Sequence, residues 1–282
     1  MTSSKWLVET DWLAEHLEAP DVVILDASWH LPTENREAHA EFLEAHIPGA
    51  LYFDIDRISE SSSDLPHMLP SPIQFSSQMR KMGIGDGMRL VVYDTPGMFS
   101  AARVWWMFRT MGHSNVQVLN GGFKKWTTEQ RPVEQGEPIA RGERHFTARL
   151  DRGLVRDLDD MKITVAENSA QILDARAPER FLGEEPEFRP GLRSGHIPGS
   201  KNFHYRLLIN DDGTMKSARE IESLFQDSEI SVEDPIITTC GSGVTASVLA
   251  LALALVGKQS AVYDGSWSEW GGIKELPIET DP

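Results

Sequence analysis

Ile172-Leu173-Asp174-Ala175 repeats Ile24-Leu25-Asp26-Ala27, and the repetition continues along the chain. His46-Ile47-Pro48-Gly49-Ala50 returns as His196-Ile197-Pro198-Gly199-Ser200. Asn120-Gly121-Gly122-Phe123-Lys124-Lys125-Trp126 returns as Asp264-Gly265-Ser266-Trp267-Ser268-Glu269-Trp270. The three matches keep one order and nearly one spacing. That spacing is far too long for a solenoid repeat, so the chain is read as a duplicated domain. Its 282 residues agree with two domains of ordinary size.

Within each half, short apolar runs alternate with helical patterns. Val22–Leu25, Leu90–Tyr93 and Val116–Leu119 read as buried strands of the first half, and Ile172–Leu173, Pro235–Thr239 and Ser260–Tyr263 as those of the second. Helix-length stretches, Ser100–Met111 and Thr245–Val256, separate the last two strands of each set. This rhythm predicts an α/β fold, each half a parallel sheet flanked by helices. The stretch from Glu129 to Arg152, rich in charge, Pro and Gly, marks the junction. An N-terminal domain is expected over 1–135, a linker over 136–152 and a C-terminal domain over 153–282.

Composition narrows the function. Forty-three acidic against 27 basic side chains give a formal charge of −16, which argues against nucleic acid or an anionic membrane as partner. With 40% hydrophobic and 25% charged residues, the chain has the balance of a globular protein. The longest apolar run, Val248 to Val256, is far short of the ~20 residues that span a bilayer. Met1 to Thr10 lacks the apolar core of a signal peptide, so a cytoplasmic location is expected. A single cysteine, Cys240, excludes an internal disulfide and every multi-cysteine metal site.

Cys240 stands in Ile236-Ile237-Thr238-Thr239-Cys240-Gly241-Ser242-Gly243-Val244-Thr245-Ala246-Ser247. A lone cysteine is by default a buried, inert thiol. Here a β-prone run ends at the cysteine, a loop with two glycines follows, and an Ala- and Leu-rich helix begins. In a parallel sheet such a loop lies at the carboxyl end of a strand, where sites form. Gly241 and Gly243 are free to take positive φ and leave the backbone uncovered. The helix N-terminus favours a thiolate, so nucleophile and anion cradle coincide.

Other chemistries fit less well. A cysteine phosphatase needs Arg six residues after the cysteine, where Ala246 stands. A dithiol redox site needs a second cysteine near Gly243, and a P-loop needs Lys where Val244 stands. No HExxH pattern occurs. Nine histidines leave a cysteine protease open, but no local signature supports one.

Cys240-Gly241-Ser242-Gly243-Val244-Thr245 resembles the active loop of 3-mercaptopyruvate sulfurtransferases, within the two-domain rhodanese family. The resemblance runs from about Trp6 to Gly271 and includes Arg103-Val104-Trp105-Trp106-Met107-Phe108-Arg109 and the repeated segments above. It implies two tandem rhodanese-like domains, of which only the second holds a nucleophile. Aligning the halves places Asp94 opposite Cys240, and a carboxylate is no sulfur nucleophile. The implied reaction moves sulfur from 3-mercaptopyruvate through a Cys240 persulfide to a thiol, such as thioredoxin, or to cyanide, and needs no metal or organic cofactor.

Thiosulfate sulfurtransferases of the same family resemble the chain almost as well. They usually carry Arg and Lys directly after the cysteine, to hold a dianion; Gly241 and Ser242 here favour mercaptopyruvate. A catalytically idle rhodanese-like binding or sulfur-carrier module is the alternative from another class.

The resemblance further implies roles for individual residues. Cys240, Ser242 and Asp56 would form the catalytic relay, with Gly241, Gly243, Val244 and Thr245 as the loop around the sulfur. His67 would stand at the site's mouth, with a surface-loop histidine as the plain alternative. Arg180 and Arg189 would bind the substrate carboxylate; otherwise they pair with the glutamates around them at the surface. Phe188, directly before Arg189, departs from the proline commoner there. His46 and His196 recur in both halves, one of which has no nucleophile, so they are read as structural.

Overall fold

A computed structural model describes residues 4–281; the outer ends of the two expected domains, 1–3 and 282, lie outside the described residues. The chain forms two compact units. The first comprises residues 1–61, 69–151 and 209–215, and the second 62–68, 152–208 and 216–282.

The first unit is built on five parallel strands: β1 (Leu7–Val8), β2 (Val22–Asp26), β3 (Leu51–Tyr52), β4 (Arg89–Tyr93) and β5 (Val116–Leu119). Their order is β1-β5-β4-β2-β3. Every residue of β2 is buried, as expected of a parallel strand covered on both faces. Five helices flank the sheet: α1 (Thr10–Glu15), α2 (Ala38–Glu44), α3 (Pro72–Lys81), α4 (Ala101–Thr110) and α5 (Gly122–Thr128). The start of α3 is written locally: Ser71 and Gln74 make a reciprocal capping box, with Pro72 at the first helical position. In α4 nearly every side chain is buried, including Arg103, whose guanidinium lies 4.3 Å from the Trp106 ring centre. The aromatic run Arg103–Trp106 is thus packing material.

The second unit repeats the plan with β6 (Val155–Arg156), β7 (Gln171–Asp174), β8 (Lys201–Asn202), β9 (Ile236–Thr239) and β10 (Ala261–Tyr263), in the order β6-β10-β9-β7-β8. Its helices are α6 (Leu158–Glu167), α7 (Pro178–Phe181), α8 (Ala218–Asp227), α9 (Ala246–Leu255) and α10 (Ser266–Trp270). Capping boxes start α6 at Asp157 and α8 at Ser217. By contrast α9 is apolar all round, and its first eight residues are buried. In each unit the strand that leads to the loop of interest, β4 or β9, is the middle strand of five.

The repeated histidines are structural. His46 Nδ1 bonds the Phe42 carbonyl at 2.7 Å, and His196 Nδ1 bonds the Phe181 carbonyl at 2.9 Å. Each also pairs its backbone with a distant segment, at Glu134 and Glu279. Among the described residues no helix is long and apolar enough to cross a membrane.

The repeated aspartates meet different surroundings. Asp174 is held by the Arg176 guanidinium at 2.7 Å, whereas in the first unit Ser28 stands two residues after Asp26. Burial pushes the Asp26 carboxyl up to about 6, although Ser28 and Tyr93 hydrogen-bond to it. Between 3.8, its ordinary value, and about 6 the folded protein holds a proton that the unfolded chain has released. The stabilisation this gives is complete at lower pH and is lost as pH rises through about 6, to the extent of about 3 kcal/mol. Asp26→Asn should therefore flatten the fall in urea-unfolding free energy between about pH 4 and pH 6. An unchanged slope in that window would show that Asp26 ionises freely.

Candidate active site

The turn from β9 into α9 sets the nucleophile. Cys240 follows Thr239 directly and is buried, with 2% of its surface exposed. Its peptide is gripped by the start of α10. Trp267 N–H donates to the Cys240 carbonyl at 2.9 Å, and Ser268 donates to the Gly241 carbonyl through N–H (2.9 Å) and Oγ (2.6 Å). Cys240 N–H in turn donates to Ser266 Oγ at 3.3 Å, and that hydroxyl donates to the Tyr263 carbonyl at 2.8 Å. The loop closes onto α9 through Ser247 Oγ, which donates to the Gly243 carbonyl at 2.8 Å. Val244 is buried and Thr245 leads into the helix.

The two glycines of the loop differ. Gly243 takes the left-handed conformation at φ +77°, as expected. Gly241 does not take positive φ. Nor does crowding require a glycine: a Cβ there would lie at ordinary contact distance, 3.5 Å from Arg180 Nη2 and 3.7 Å from Arg189 Nη1. Both guanidinium groups thus reach over the residue that follows the thiol. Ser242, also buried, is hydrogen-bonded to His67 Nδ1 at 2.9 Å and accepts from Arg189 Nη2 at 3.4 Å. His67 is itself buried, in left-handed backbone at φ +62°. Such a conformation in a non-glycine residue is costly and is typical of functional sites.

The arginines are fixed from behind. Glu187, its side chain 2% exposed, accepts from Arg176 Nη1 at 2.7 Å through one oxygen and from Arg180 Nη2 through the other. Arg176 also forks onto Asp174, donates to the Gly195 carbonyl at 2.8 Å and lies 4.5 Å from the Trp267 ring centre. Burial works against the Arg176 charge, but Asp174 and Glu187 raise its pKa above the ordinary arginine value. Arg180 and Arg189 both lie over the Phe188 ring, at 4.9 and 4.8 Å.

A sequence profile of the rhodanese-like domain matches residues 9–129 and again 157–272. The chain belongs to the rhodanese family. Its relatives include 3-mercaptopyruvate sulfurtransferase of Escherichia coli K12, 43% identical over 98% of this chain and 99% of the relative. Thiosulfate sulfurtransferase of Cricetulus griseus is also 43% identical, over 97% of this chain and 94% of that protein. The crystal structure of SseA from Escherichia coli, a 3-mercaptopyruvate sulfotransferase of the rhodanese fold, superposes with a TM-score of 0.85 at 41% identity. That match covers 94% of this chain and 99% of the other.

Within this rhodanese framework the second unit brings Cys240, Gly241, Ser242, Gly243, His67, Arg180 and Arg189 to one place. Asp56 belongs to the first unit, where its carboxylate accepts from Trp29 Nε1 at 3.0 Å. The plain alternative for Arg180 was right about a glutamate partner and wrong about its setting, because Glu187 is buried. Three supporting residues escaped the sequence reading. Glu187 looked like one acid among several, and Phe188 like a departure from pattern. Ser266 sat in a repeated motif, and its difference from Gly122 was the signal available.

In the opposite loop of the first unit, Asp94 fills the nucleophile's position. Its Oδ2 accepts from the N–H groups of Phe99 and Ala101, each at 2.8 Å. Phe123 N–H grips the Asp94 carbonyl at 2.9 Å, much as Trp267 grips that of Cys240. Gly122, at φ +56°, has no room for a side chain, since a Cβ would lie 2.4 Å from the Asp94 carbonyl oxygen. Ser266 takes the matching conformation at φ +50° with a side chain. It accepts left-handed strain in order to bond the Cys240 peptide. Ser266→Ala keeps the strain and loses both bonds, and should cost about 1–3 kcal/mol of stability. Ser266→Gly also loses the bonds but relieves about 1 kcal/mol of strain. Thermal unfolding should rank wild type above Gly and Gly above Ala; Ala equal to Gly would remove strain from the account.

Proposed function

We propose that this chain is a 3-mercaptopyruvate sulfurtransferase with Cys240 as the sulfur carrier. The observation that carries the reading is the reach of Arg180 and Arg189 over Gly241, the residue next to the thiol. Two guanidinium groups there suit a carboxylate presented beside the nucleophile. The relatives agree on sulfur transfer but bear both donor names at equal identity. The loop favours mercaptopyruvate, because Gly241 and Ser242 supply no further cation for a dianion.

In this scheme the Cys240 thiolate attacks the donor's sulfur. The donor's C–S bond breaks and its electron pair forms the enolate of pyruvate, which takes up the thiol proton at carbon. Cys240 is left as a persulfide. The loop from Gly241 to Thr245 surrounds that sulfur with backbone dipoles. A thiolate acceptor, such as thioredoxin, or cyanide then attacks the outer sulfur, and the Cys240 thiolate departs. Ser242, joined to His67, is the route we assign to the thiol proton. The part given to Asp56 in that relay rests on the family resemblance, and Asp56→Asn tests it by its effect on kcat. A carrier thiol has to stay reduced between turnovers, so we assign the protein to the reducing cytoplasm.

Intact mass after treatment with 3-mercaptopyruvate is the direct test. A gain of about 32 Da, one sulfur atom, is expected, with no gain in Cys240→Ser. No adduct would leave the non-catalytic module. Initial rates with cyanide should favour 3-mercaptopyruvate over thiosulfate, and the reverse preference would overturn the donor. Arg189→Lys should raise KM for 3-mercaptopyruvate about tenfold with a smaller change in kcat, since an ammonium cannot reproduce the fork.

A further inference from the structure

One buried side chain is joined both to a guanidinium over Gly241 and to the helix start that grips Cys240. Arg176 stands two residues after the end of β7, its side chain 1% exposed. Its Nε and Nη2 fork onto Asp174 at 3.0 and 2.7 Å, and Nη2 also donates to the Gly195 carbonyl at 2.8 Å. Nη1 donates to one oxygen of Glu187 at 2.7 Å, and the other oxygen accepts from Arg180 Nη2. The Arg176 guanidinium also lies 4.5 Å from the ring centre of Trp267, whose N–H holds the Cys240 carbonyl at 2.9 Å. Contacts therefore run from Arg176 to Arg180 on one side and to the Cys240 peptide on the other.

The duplication shows that the fold itself does not call for this guanidinium. In the first unit Ser28 stands in its place, and Ser28 and Tyr93 hydrogen-bond to Asp26. Strand register sets Tyr93 beside Asp26 and Thr239 beside Asp174. The tyrosine that reaches the carboxylate from the neighbouring strand gives way to threonine in the unit that carries the arginine. That is also the unit that holds the thiol. We infer that Arg176 is a positioning residue: through Glu187 it fixes Arg180 relative to Cys240, so that a donor held by its carboxylate presents its sulfur to the thiol. The inference rests on the proposed 3-mercaptopyruvate reading. A planar guanidinium spans Asp174, Gly195 and Glu187 at once, which an ammonium on a flexible stem does not. Arg180 Nε, buried and without a hydrogen-bond partner among the described residues, is the N–H this arrangement leaves for a ligand oxygen.

Positioning and plain neutralisation of Asp174 can be separated. Arg176→Lys keeps a cation beside Asp174 and loses the span to Glu187. With cyanide as acceptor, KM for 3-mercaptopyruvate should rise about tenfold in Arg176→Lys, with a smaller change in kcat. The rise should depend on Arg180. In an Arg180→Lys background, adding Arg176→Lys should raise KM less than about twofold further, because the two act through one contact. If Arg176 only neutralises Asp174, lysine serves as well and KM stays put, which overturns the inference. An equal rise in both backgrounds also overturns it, since the effect then bypasses Arg180. Should Arg176→Lys fail to fold, Glu187→Asp makes the same cut and leaves Arg176 on Asp174. Its shorter side chain should give the same rise in KM, again only while Arg180 is present, and an unmoved KM overturns the inference. Wild-type Cys240 without a sulfur adduct after 3-mercaptopyruvate would defeat the donor reading and this inference with it. An adduct together with an unmoved KM counts against Arg176 alone.

Discussion

A charge brought to the carboxyl end of a central parallel strand has to be held there, away from water, by groups the fold supplies. The two units meet this constraint in different ways. In the second, the buried Asp174 is neutralised by Arg176, and the chain of contacts runs on through Glu187 to Arg180 at the site. In the first, Asp26 has Ser28 and Tyr93 but no cation among the described residues, and its carboxyl is pushed toward the neutral form. Breaking a buried pair leaves an uncompensated charge and is far costlier than any surface ion pair. The arginine network is therefore part of the second unit's framework, and the candidate site is its outer end.

The same comparison explains what the duplication has kept. Both loops leave a middle strand, and both are gripped by the segment after the last strand. Asp94 is bound by amides of its own loop, so this strand–loop–helix turn presents N–H donors to an oxygen acceptor. Its carboxyl is nonetheless raised, because burial outweighs the amide bonds. In the second unit the position is freed for a thiol, and Ser266 replaces the glycine that the tighter packing in the first unit requires.

Much of this was legible in the sequence, for identifiable reasons. The apolar runs at β2, β4, β5, β7, β9 and β10 are continuous because those strands are covered on both faces. The two-residue strands β1, β3, β6 and β8 were invisible, since a pair of residues has no period to read. The Cys240 loop was legible because its chemistry is local, one residue type at each position of a turn. Gly241 was read for a conformational freedom that it does not use, and its closeness to the arginines was not legible because they come from a distant segment. Glu187 and Phe188 were opaque for a related reason. Glu184 and Glu185 are exposed and Glu187 is not, and only the packing of α7 and its following loop decides which acid is drawn inward.

The net charge of −16 does not exclude every anionic ligand. It does argue against polyanions, which sample the whole surface. A small anion is governed by different distances. At physiological ionic strength exposed charges are screened beyond about 8 Å, so the many surface carboxylates contribute little at the loop. Two guanidinium groups within 4 Å of where a Gly241 Cβ would lie act inside that length, in a setting that screens poorly. A few buried contacts thus prevail locally over a large charge of the opposite sense. The acidic surface and the cationic site are compatible because each acts only over its own range.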